Sequence, residues 1–225
     1  IAKYLDNNTV NMYEYVSNHF EFLGFNFKNY LLRDKNVRQA IAHGINRHKI
    51  ISDIYLEHGT ISDVPIPVNS WLYNENNIQI GYDINLAQQL LEESNFMMKD
   101  NTNNRVNDDG TPLKFRMVVN KDNILRERKA LYIKDELGKI SITVDVVLLD
   151  WDNYQKDVIN GNYDLVLGGW ELSFIPDLSF AYHSSQIGKT NFIYYNSEEM
   201  DELIQNAFMA PNKKDKQDAY HELQD

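Results

Sequence analysis

The sequence predicts an α/β fold in which a mixed, largely parallel sheet is flanked by helices. Strand-like runs at 115–119, 142–149 and 163–169 alternate with helix-like segments at about 123–137 and 152–160. This alternation is typical of parallel strands joined by crossover helices. The 43% of hydrophobic and 12% of aromatic residues are those of a packed globular chain, so we expect one domain that spans residues 1–225.

The first half of the chain predicts one strand and three helices. Residues 20–27 alternate imperfectly between apolar and small or polar residues, as a mostly buried strand does. Asp34, Asn46 and Asp83 each precede apolar residues at helical spacing, so we expect these side chains to cap helices. The prolines and asparagines of residues 60–82 predict a long loop.

The second half predicts one further strand and two further helices after the alternating segments. We expect a strand at 191–195, a helix capped by Ser197, and a final helix over 215–225. Gly138 and Gly161 stand where the two crossover helices must stop, because glycine favours the backbone conformation that ends a helix.

Ligands of such folds bind beyond the carboxyl ends of the parallel strands. Those ends are Asn120, Asp150 and the step Gly168-Gly169-Trp170. Two glycines at the end of a buried strand allow close approach, and tryptophan offers a flat apolar face with one N–H donor. From spacing alone, this step is either part of a ligand site or a β-bulge followed by a core tryptophan.

Composition excludes several classes of protein. The 33 acidic and 22 basic residues give a net charge of −11, which argues against a nucleic-acid partner. Without cysteine, disulfides, thiolate metal sites and cysteine nucleophiles are excluded. No run approaches the roughly 18 apolar residues that span a bilayer. The first residues lack a secretory signal, and both ends interrupt the pattern, so we expect an excised piece of a longer protein.

The sequence contains no convincing catalytic or metal-binding motif. His43 and His48 have no carboxylate at ligand spacing, and residues 100–110 lack the glycine and the glutamate that a calcium loop requires. His183 and its neighbours Ser184 and Ser185 are adjacent in sequence, and adjacent side chains seldom meet as base and nucleophile. We therefore expect no metal and no cofactor.

An ordered series of motifs resembles the extracellular solute-binding proteins that serve peptide and nickel ABC importers. The motifs include Phe22-Leu-Gly-Phe-Asn26, Asn36-Val-Arg-Gln-Ala-Ile41, Tyr82-Asp-Ile-Asn-Leu-Ala-Gln-Gln-Leu-Leu91, Asp150-Trp-Asp-Asn-Tyr154, Gly161-Asn-Tyr-Asp-Leu165, Gly169-Trp170 and Asn196-Ser-Glu-Glu-Met-Asp201. Their order and spacing cover essentially all of the chain, and the combination is specific.

The resemblance implies that the chain is the second lobe of a two-lobed binding protein, with the first lobe and a C-terminal return segment outside it. In the family, an extended peptide is held between the lobes chiefly through its backbone. Lobe closure then presents the complex to the membrane permease. The implied partners are an oligopeptide or related small solute and an ABC permease. The implied protein is a monomer, lipid-anchored at the extracellular face of the membrane or periplasmic.

Carried over residue by residue, the resemblance makes Gly169 and Trp170 the cleft wall of this lobe. Asn120 is implied to face the ligand from the end of its strand, and Asn26 is a further candidate.

One position departs from the family pattern. Peptide-binding members carry an aspartate three residues after this tryptophan, where it pairs with the amino terminus of the peptide, and here that residue is Ser173. A neutral hydroxyl does not provide a charge-assisted hydrogen bond from an ionised acceptor. Either Glu171 or Asp177 takes over this role, or the ligand is not an ordinary peptide.

Two other functions stay open on sequence alone. A hydrolase completed by another lobe would draw its acid and base from Asp145, Asp150 and Asp152. Side-chain alternation puts Asp145 and Asp150 on opposite faces of their strand, which favours a binding protein without enzymatic activity. A sensory lobe for a non-peptide solute would share the binding chemistry of a transport receptor.

Overall fold

A computed structural model describes residue 11 and residues 13–76, 80–99 and 104–225. The strands in these residues are β1 (His19–Phe25), β2 (Met97–Met98), β3 (Arg105–Val106), β4 (Lys114–Asn120), β5 (Thr143–Leu149) and β6 (Leu165–Glu171). The α-helices are α1 (Lys35–Gly44), α2 (Arg47–Lys49), α3 (Ile84–Glu93), α4 (Ile124–Gly138), α5 (Trp151–Asn160), α6 (Ser179–Tyr182), α7 (Glu198–Met209) and α8 (Lys213–Gln224). Short 3-10 helices cover Tyr30–Arg33 and Ser184–Gln186, and a π-helical turn covers Ile50–Ile54.

The main sheet has four strands in the order β1-β6-β4-β5. β4 pairs in parallel with both β5 and β6, whereas β1 pairs antiparallel with β6. The predicted mixed, largely parallel sheet is therefore confirmed. The chain leaves β4 for β5 on one side and returns to β6 on the other. The carboxyl ends of β4 and β6 consequently form a topological switch point, where folds of this kind bind their ligands.

The two faces of the sheet are covered by different helices. The larger core lies on the face where α1, α3 and α4 pack, and the opposite face packs against α5. Side chains alternate between the faces along each strand, so Met117 belongs to the first core and Val118 to the second. A third cluster joins the loop that contains Ile66 and Leu72 to helices α6 to α8.

The predicted helix caps are confirmed where the sequence marks them. The side chain of Asp34 accepts a hydrogen bond from the Asn36 backbone, and Asp83 accepts one from Leu86. Asn46 also caps its helix, but this helix is short and continues as the π-helical turn. Ser197, Asn123 and Asp150 cap α7, α4 and α5 in the same way. Each cap satisfies backbone N–H groups that the first helical turn leaves unpaired.

The predicted strand at 191–195 is wrong. The side-chain amide of Asn191 donates to the carbonyl of Tyr195 at 2.9 Å and to that of His183 at 3.2 Å, so the segment curls around this buried residue. An extended strand would hold residues 191 and 195 about 13 Å apart. Tyr194 also has a positive φ of 61°, which breaks strand geometry. Two strand-like contacts remain. The Phe27 N–H donates to the Ile193 carbonyl at 2.8 Å, and an isolated parallel bridge joins Ile187 and Asn191.

The small β2–β3 hairpin was not expected from the sequence, where the connection over 100–110 was considered only as a calcium loop. Residues 100–103 of that connection lie outside the described residues. Arg105 anchors the hairpin, since its side chain is nearly buried and donates to the Phe96 carbonyl at 2.9 Å. A buried arginine in an otherwise polar segment leaves no hydrophobic periodicity to detect.

Candidate functional site

The structure brings the polar strand end of β4 and the glycine-rich end of β6 together at the switch point. Val118 of β4 pairs with Val166 of β6. Asn120 follows two residues later on the same face, and Gly168 and Trp170 continue that face along β6. The Asn120 side chain is largely buried, and its amide donates to the Asp122 carboxylate at 3.3 Å.

Trp170 lies in a group of aromatic rings that we call the aromatic face. Its ring centroid is 4.2 Å from that of Phe22 and 5.1 Å from that of Phe180, which it meets edge to face. The other members, at longer ring distances, are Phe20, Tyr182 and Phe192. Trp170 is partly exposed and Phe180 is 36% exposed. The aromatic face is therefore packed underneath and open to solvent above.

The ring of Phe22 lies across Gly168 and leaves no room for a larger side chain at this position. A Cβ atom at this position would lie 2.8 Å from Cζ of Phe22, closer than side-chain carbons approach. The pairing of β1 with β6 is regular from Leu165 to Glu171, so no β-bulge is present at this step. Of the two alternatives, the β-bulge is therefore excluded, and the partial exposure of Trp170 distinguishes it from a core residue.

The opposite face of the same step carries a group of charges that we call the ion cluster, formed by Glu21, Arg126 and Lys129. Arg126 donates through Nε to both Glu21 carboxylate oxygens at 3.1 Å and through Nη2 to Oε1 at 2.7 Å. Lys129 Nζ contacts Glu21 Oε2. His19 Nε2 lies 2.8 Å from Glu21 Oε1. The three charged side chains are each less than a fifth exposed.

The ion cluster keeps its carboxylate ionised far into the acid range. Burial alone raises the pKa of Glu21, but the hydrogen bonds and charges of Arg126 and Lys129 outweigh it and lower the pKa to about 2. For Arg126, burial lowers the pKa, and the bond to Glu21 more than restores it, so the net direction is upward. A Cβ on Gly169 would lie 2.5 Å from Arg126 Nη2, so this glycine makes room for the cluster.

The three further candidates lie at or after the end of β6. The Glu171 side chain is 74% exposed, and it turns to the face of the ion cluster, where Oε2 is 3.6 Å from Nδ1 of His19. Ser173 Oγ donates to the Ile175 carbonyl at 2.6 Å. Asp177 accepts from the Ser179 N–H at 2.9 Å. Each of these groups is therefore near the edge but has a contact within the fold.

Asn26 is not part of this edge, so its prediction as a cleft residue is corrected. It follows the last residue of β1, and because β1 runs antiparallel to β6, it lies at the opposite edge of the sheet. Its buried side chain donates to the carbonyls of Gly161 and Tyr163, and its oxygen accepts from the Lys28 N–H at 3.0 Å. The amide and the oxygen of Asn26 are thus both engaged in hydrogen bonds that close the turn before β6.

The serine and histidine residues at 183–185 do meet, but as a helix cap. His183 Nδ1 accepts from the Ser185 N–H at 3.1 Å and lies 3.0 Å from Ser185 Oγ. Asp201 lies 3.5 Å from the same nitrogen, and its carboxylate accepts hydrogen bonds from Ser184. A nitrogen that accepts from a backbone N–H carries no proton to donate to an aspartate, so the arrangement is not a catalytic triad.

Two of the three aspartates considered for acid–base catalysis have structural partners. Asp145 pairs with Lys114 at 2.9 Å, and Asp150 caps α5 by accepting from the Asn153 N–H at 3.0 Å. Hydrogen bonds from Asn153 lower the pKa of Asp150, which keeps it ionised and unsuited to act as a general acid. In the described part of the chain, no three histidine, aspartate or glutamate side chains are placed to hold a metal ion.

Sequence reasoning missed the aromatic partners of Trp170 and the whole ion cluster. One signal for the cluster is that Glu21 lies between Phe20 and Phe22 in an aromatic strand. Arg126 and Lys129 are three residues apart on one helix face, a spacing that exposed helices share. A charge inside an aromatic strand is the more informative of these two signals, because it needs a buried partner.

Comparison with known proteins identifies the family. The model of the bacterial extracellular solute-binding proteins, family 5, middle region, matches residues 1–192. The chain therefore belongs to this family of solute-binding proteins.

No helix in the described residues has both the length and the apolar character needed to cross a membrane.

Individual relatives agree with this assignment. The chain is 31% identical over 211 residues to the oligopeptide-binding protein AppA of Bacillus subtilis, covering 91% of this chain and 38% of that protein. The structure of B. subtilis AppA in complex with a nonapeptide matches with a TM-score of 0.90 at 26% identity, over 99% of this chain and 45% of that one. NikZ of Campylobacter jejuni in complex with Ni(L-His) shares the fold, with a TM-score of 0.88 at 23% identity, covering 99% and 45% of the two chains. The chain thus spans less than half the length of the proteins it matches.

Proposed function

We propose that this chain is one lobe of a two-lobed, non-enzymatic receptor that captures oligopeptides and delivers them to an ABC importer. A single observation carries the proposal: the open aromatic face lies beside Asn120 at the switch point of the sheet. This is the position at which α/β folds bind ligands. Membership of the solute-binding family and the likeness to AppA support the same function.

The aromatic face gives the bound solute a rigid apolar support. Trp170 is held from below by Phe22 and from the side by Phe180, so its indole ring is fixed before ligand arrives. A preorganised ring costs little conformational entropy on binding. Asn120 adds a side-chain amide at the neighbouring strand end, where its oxygen can accept a backbone N–H of an extended peptide. Gly169 keeps the strand end flat between the two faces.

The remaining features of the whole protein follow from this role. We propose that a second lobe forms the other wall, that closure of the lobes traps the solute, and that the closed form meets the permease. We also propose that the receptor is a monomer at the extracellular face of the membrane, held by a lipid anchor, or a periplasmic protein. Asp122 is the carboxylate hydrogen-bonded to Asn120. Glu171 and Asp177 follow Trp170 along the chain, and Ser173 lies between them in sequence.

Calorimetry on the full-length protein tests the proposal. Mixtures of tripeptides to nonapeptides should release heat on binding and should be recovered intact, as measured by mass spectrometry of the ligand. Replacing Trp170 by leucine should weaken binding about tenfold or more, because an aromatic support is lost. Phe208→Leu is the matched control, since Phe208 is 47% exposed on α7 and its ring lies under the Lys216 ammonium. Peptide hydrolysis, or a response only to chelated metals, would contradict the proposal.

A further inference from the structure

The segment that follows Trp170 exposes three apolar side chains, alongside the exposed polar residues Glu171, Ser173 and Asp177. Phe174 is 57% exposed, Ile175 is 40% exposed, and Phe180 at the start of α6 is 36% exposed. Exposed apolar residues are ordinary when scattered, but a contiguous group beside a ligand site marks a surface that is covered in the working state. Here the group continues directly from the aromatic face through the contact between Phe180 and Trp170.

Charge is turned away from this surface. Between Trp170 and Tyr182, the only charged side chains are Glu171 and Asp177, and there is no basic residue. Glu171 lies on the opposite face of β6, beside His19. Asp177 caps the start of α6 and lies near Tyr220, whose hydroxyl donates to the Pro176 carbonyl. Neither carboxylate is aimed at the ring of Trp170.

The polar groups of the same segment are also satisfied within the fold. Ser173 Oγ donates to the Ile175 carbonyl, so its hydroxyl proton is already used. Burial raises the pKa of Tyr182 to about 12, so its hydroxyl stays neutral at any physiological pH. A solute group resting on Trp170 finds flat rings, and the two carboxylates of residues 171–182 contact His19 and the Ser179 N–H instead. A free ammonium would lose its hydration at this place without gaining a charged partner.

On the basis of the proposed function, we propose that the part of the solute that rests against Trp170 is a neutral apolar group, preferably an aromatic side chain. The exposed rings of Trp170 and Phe180 supply offset or edge-to-face contacts, which favour an aromatic group over an aliphatic group of equal size. Selectivity at this place then comes from the solute side chain, and a free amino terminus contributes little.

A scan of tetrapeptides on the full-length protein tests this inference. Tetra-alanine and its four single-phenylalanine variants are titrated by calorimetry, each with a free and with an acetylated amino terminus. One phenylalanine position should bind about tenfold tighter than tetra-alanine. Acetylation should change that affinity less than about threefold, because no carboxylate pairs with the amine.

Two variants locate the effect. Phe180→Ser should remove most of the phenylalanine preference, whereas Phe208→Ser, an exposed phenylalanine on α7, should leave it unchanged. Thermal unfolding of both variants checks that each is folded. Equal affinity for all five peptides, or loss of binding on acetylation, overturns the inference while leaving the transport role intact.

Absence of any peptide binding would instead contradict the proposed function, and a second measurement then decides the inference. The protein is labelled with 5-fluorotryptophan, and the Trp170 resonance is assigned with Trp170→Phe. N-acetyl-phenylalaninamide should shift this resonance and N-acetyl-alaninamide should not, with the Trp71 resonance as the internal reference. No selective shift at Trp170 overturns the inference.

Discussion

The two faces of β6 at Gly168 and Gly169 accommodate different neighbours, although both positions need a glycine. On one face, Gly168 lets the ring of Phe22 lie against the strand and support Trp170. On the other, Gly169 makes room for the carboxylate of Glu21 and the guanidinium of Arg126. The aromatic face is open and uncharged, whereas the ion cluster is buried and closed. The aromatic face, which is suited to a ligand, and the ion cluster, which fixes the strand end, thus lie on opposite sides of two adjacent glycines.

Removing the carboxylate of the ion cluster should have the largest effect. Glu21→Gln leaves Arg126 and Lys129 buried without a counter-charge, which costs about 3–5 kcal/mol in comparable buried pairs. Urea unfolding of the full-length protein measures the loss. Glu171→Gln is the control, because this exposed residue should change the free energy of unfolding by less than about 0.5 kcal/mol. A small effect of Glu21→Gln on the free energy of unfolding would mean that the ion cluster does not hold the strand end.

Acid should reproduce part of that loss in the unmodified protein. The pKa of Glu21 is about 2 in the folded state and 4.5 when unperturbed, so its contribution is present above pH 4.5. It is lost as the pH falls towards 2, because the folded form must then take up a proton that the unfolded form already holds. The difference corresponds to roughly 3 kcal/mol.

Unfolding at pH 5.5 and pH 3 in the protein and in Glu21→Gln isolates this contribution from that of other carboxylates. The unmodified protein should lose more stability over this range than the variant. Equal losses in the two proteins would show that Glu21 titrates normally.

Replacing Gly168 and Gly169 in turn by alanine should distinguish the roles of the aromatic face and the ion cluster. Gly168→Ala and Gly169→Ala should each cost about 1–3 kcal/mol, as overpacking does. Only Gly169→Ala should also reduce the acid dependence described above, since it displaces Arg126 from Glu21. Gly138→Ala is the matched control, with open space around its position, and should cost nothing or stabilise slightly. An acid dependence altered by Gly168→Ala instead would reverse the assignment of the faces.

The smallest effect on stability should come from Phe174, in the loop that follows Trp170. Phe174→Ser removes a ring that is 57% exposed, so the free energy of unfolding should change by less than about 0.5 kcal/mol. Thermal unfolding without ligand measures this change. A large destabilisation would indicate that Phe174 packs in the fold and is not available to a solute.

Much of the fold was predictable because its signals are local. Caps such as Asp34 and Asp83, and the apolar strand at 115–119, depend on neighbours within a few residues. The segment at 191–195 was mistaken for a strand because its aromatic residues have high strand propensity. That propensity does not reflect the hydrogen bonds by which the Asn191 side chain bends the chain towards the Tyr195 and His183 carbonyls. Local signals thus predict elements better than they predict how the elements meet.

The site was predictable only in part for the same reason. Asn120 and Trp170 could be proposed from the sequence because strand ends in α/β folds bind ligands. The contacts between Glu21 and Arg126 join residues more than a hundred positions apart, and sequence spacing says nothing about such pairs. Asn26 was misplaced because its position depends on the direction of β1, which the hydrophobic pattern of a strand does not specify.

The direction of β1 has one consequence for how binding is transmitted. Because β1 is antiparallel, it begins at the ligand edge, where Phe20 pairs with Trp170 and the Asn18 carbonyl accepts from the Leu172 N–H at 2.9 Å. The polypeptide therefore enters the sheet beside the place where a solute would sit. A parallel β1 would enter at the far edge, a full strand length away. Strain applied to the incoming chain by movement of a neighbouring lobe would reach the indole support through one pair of strands.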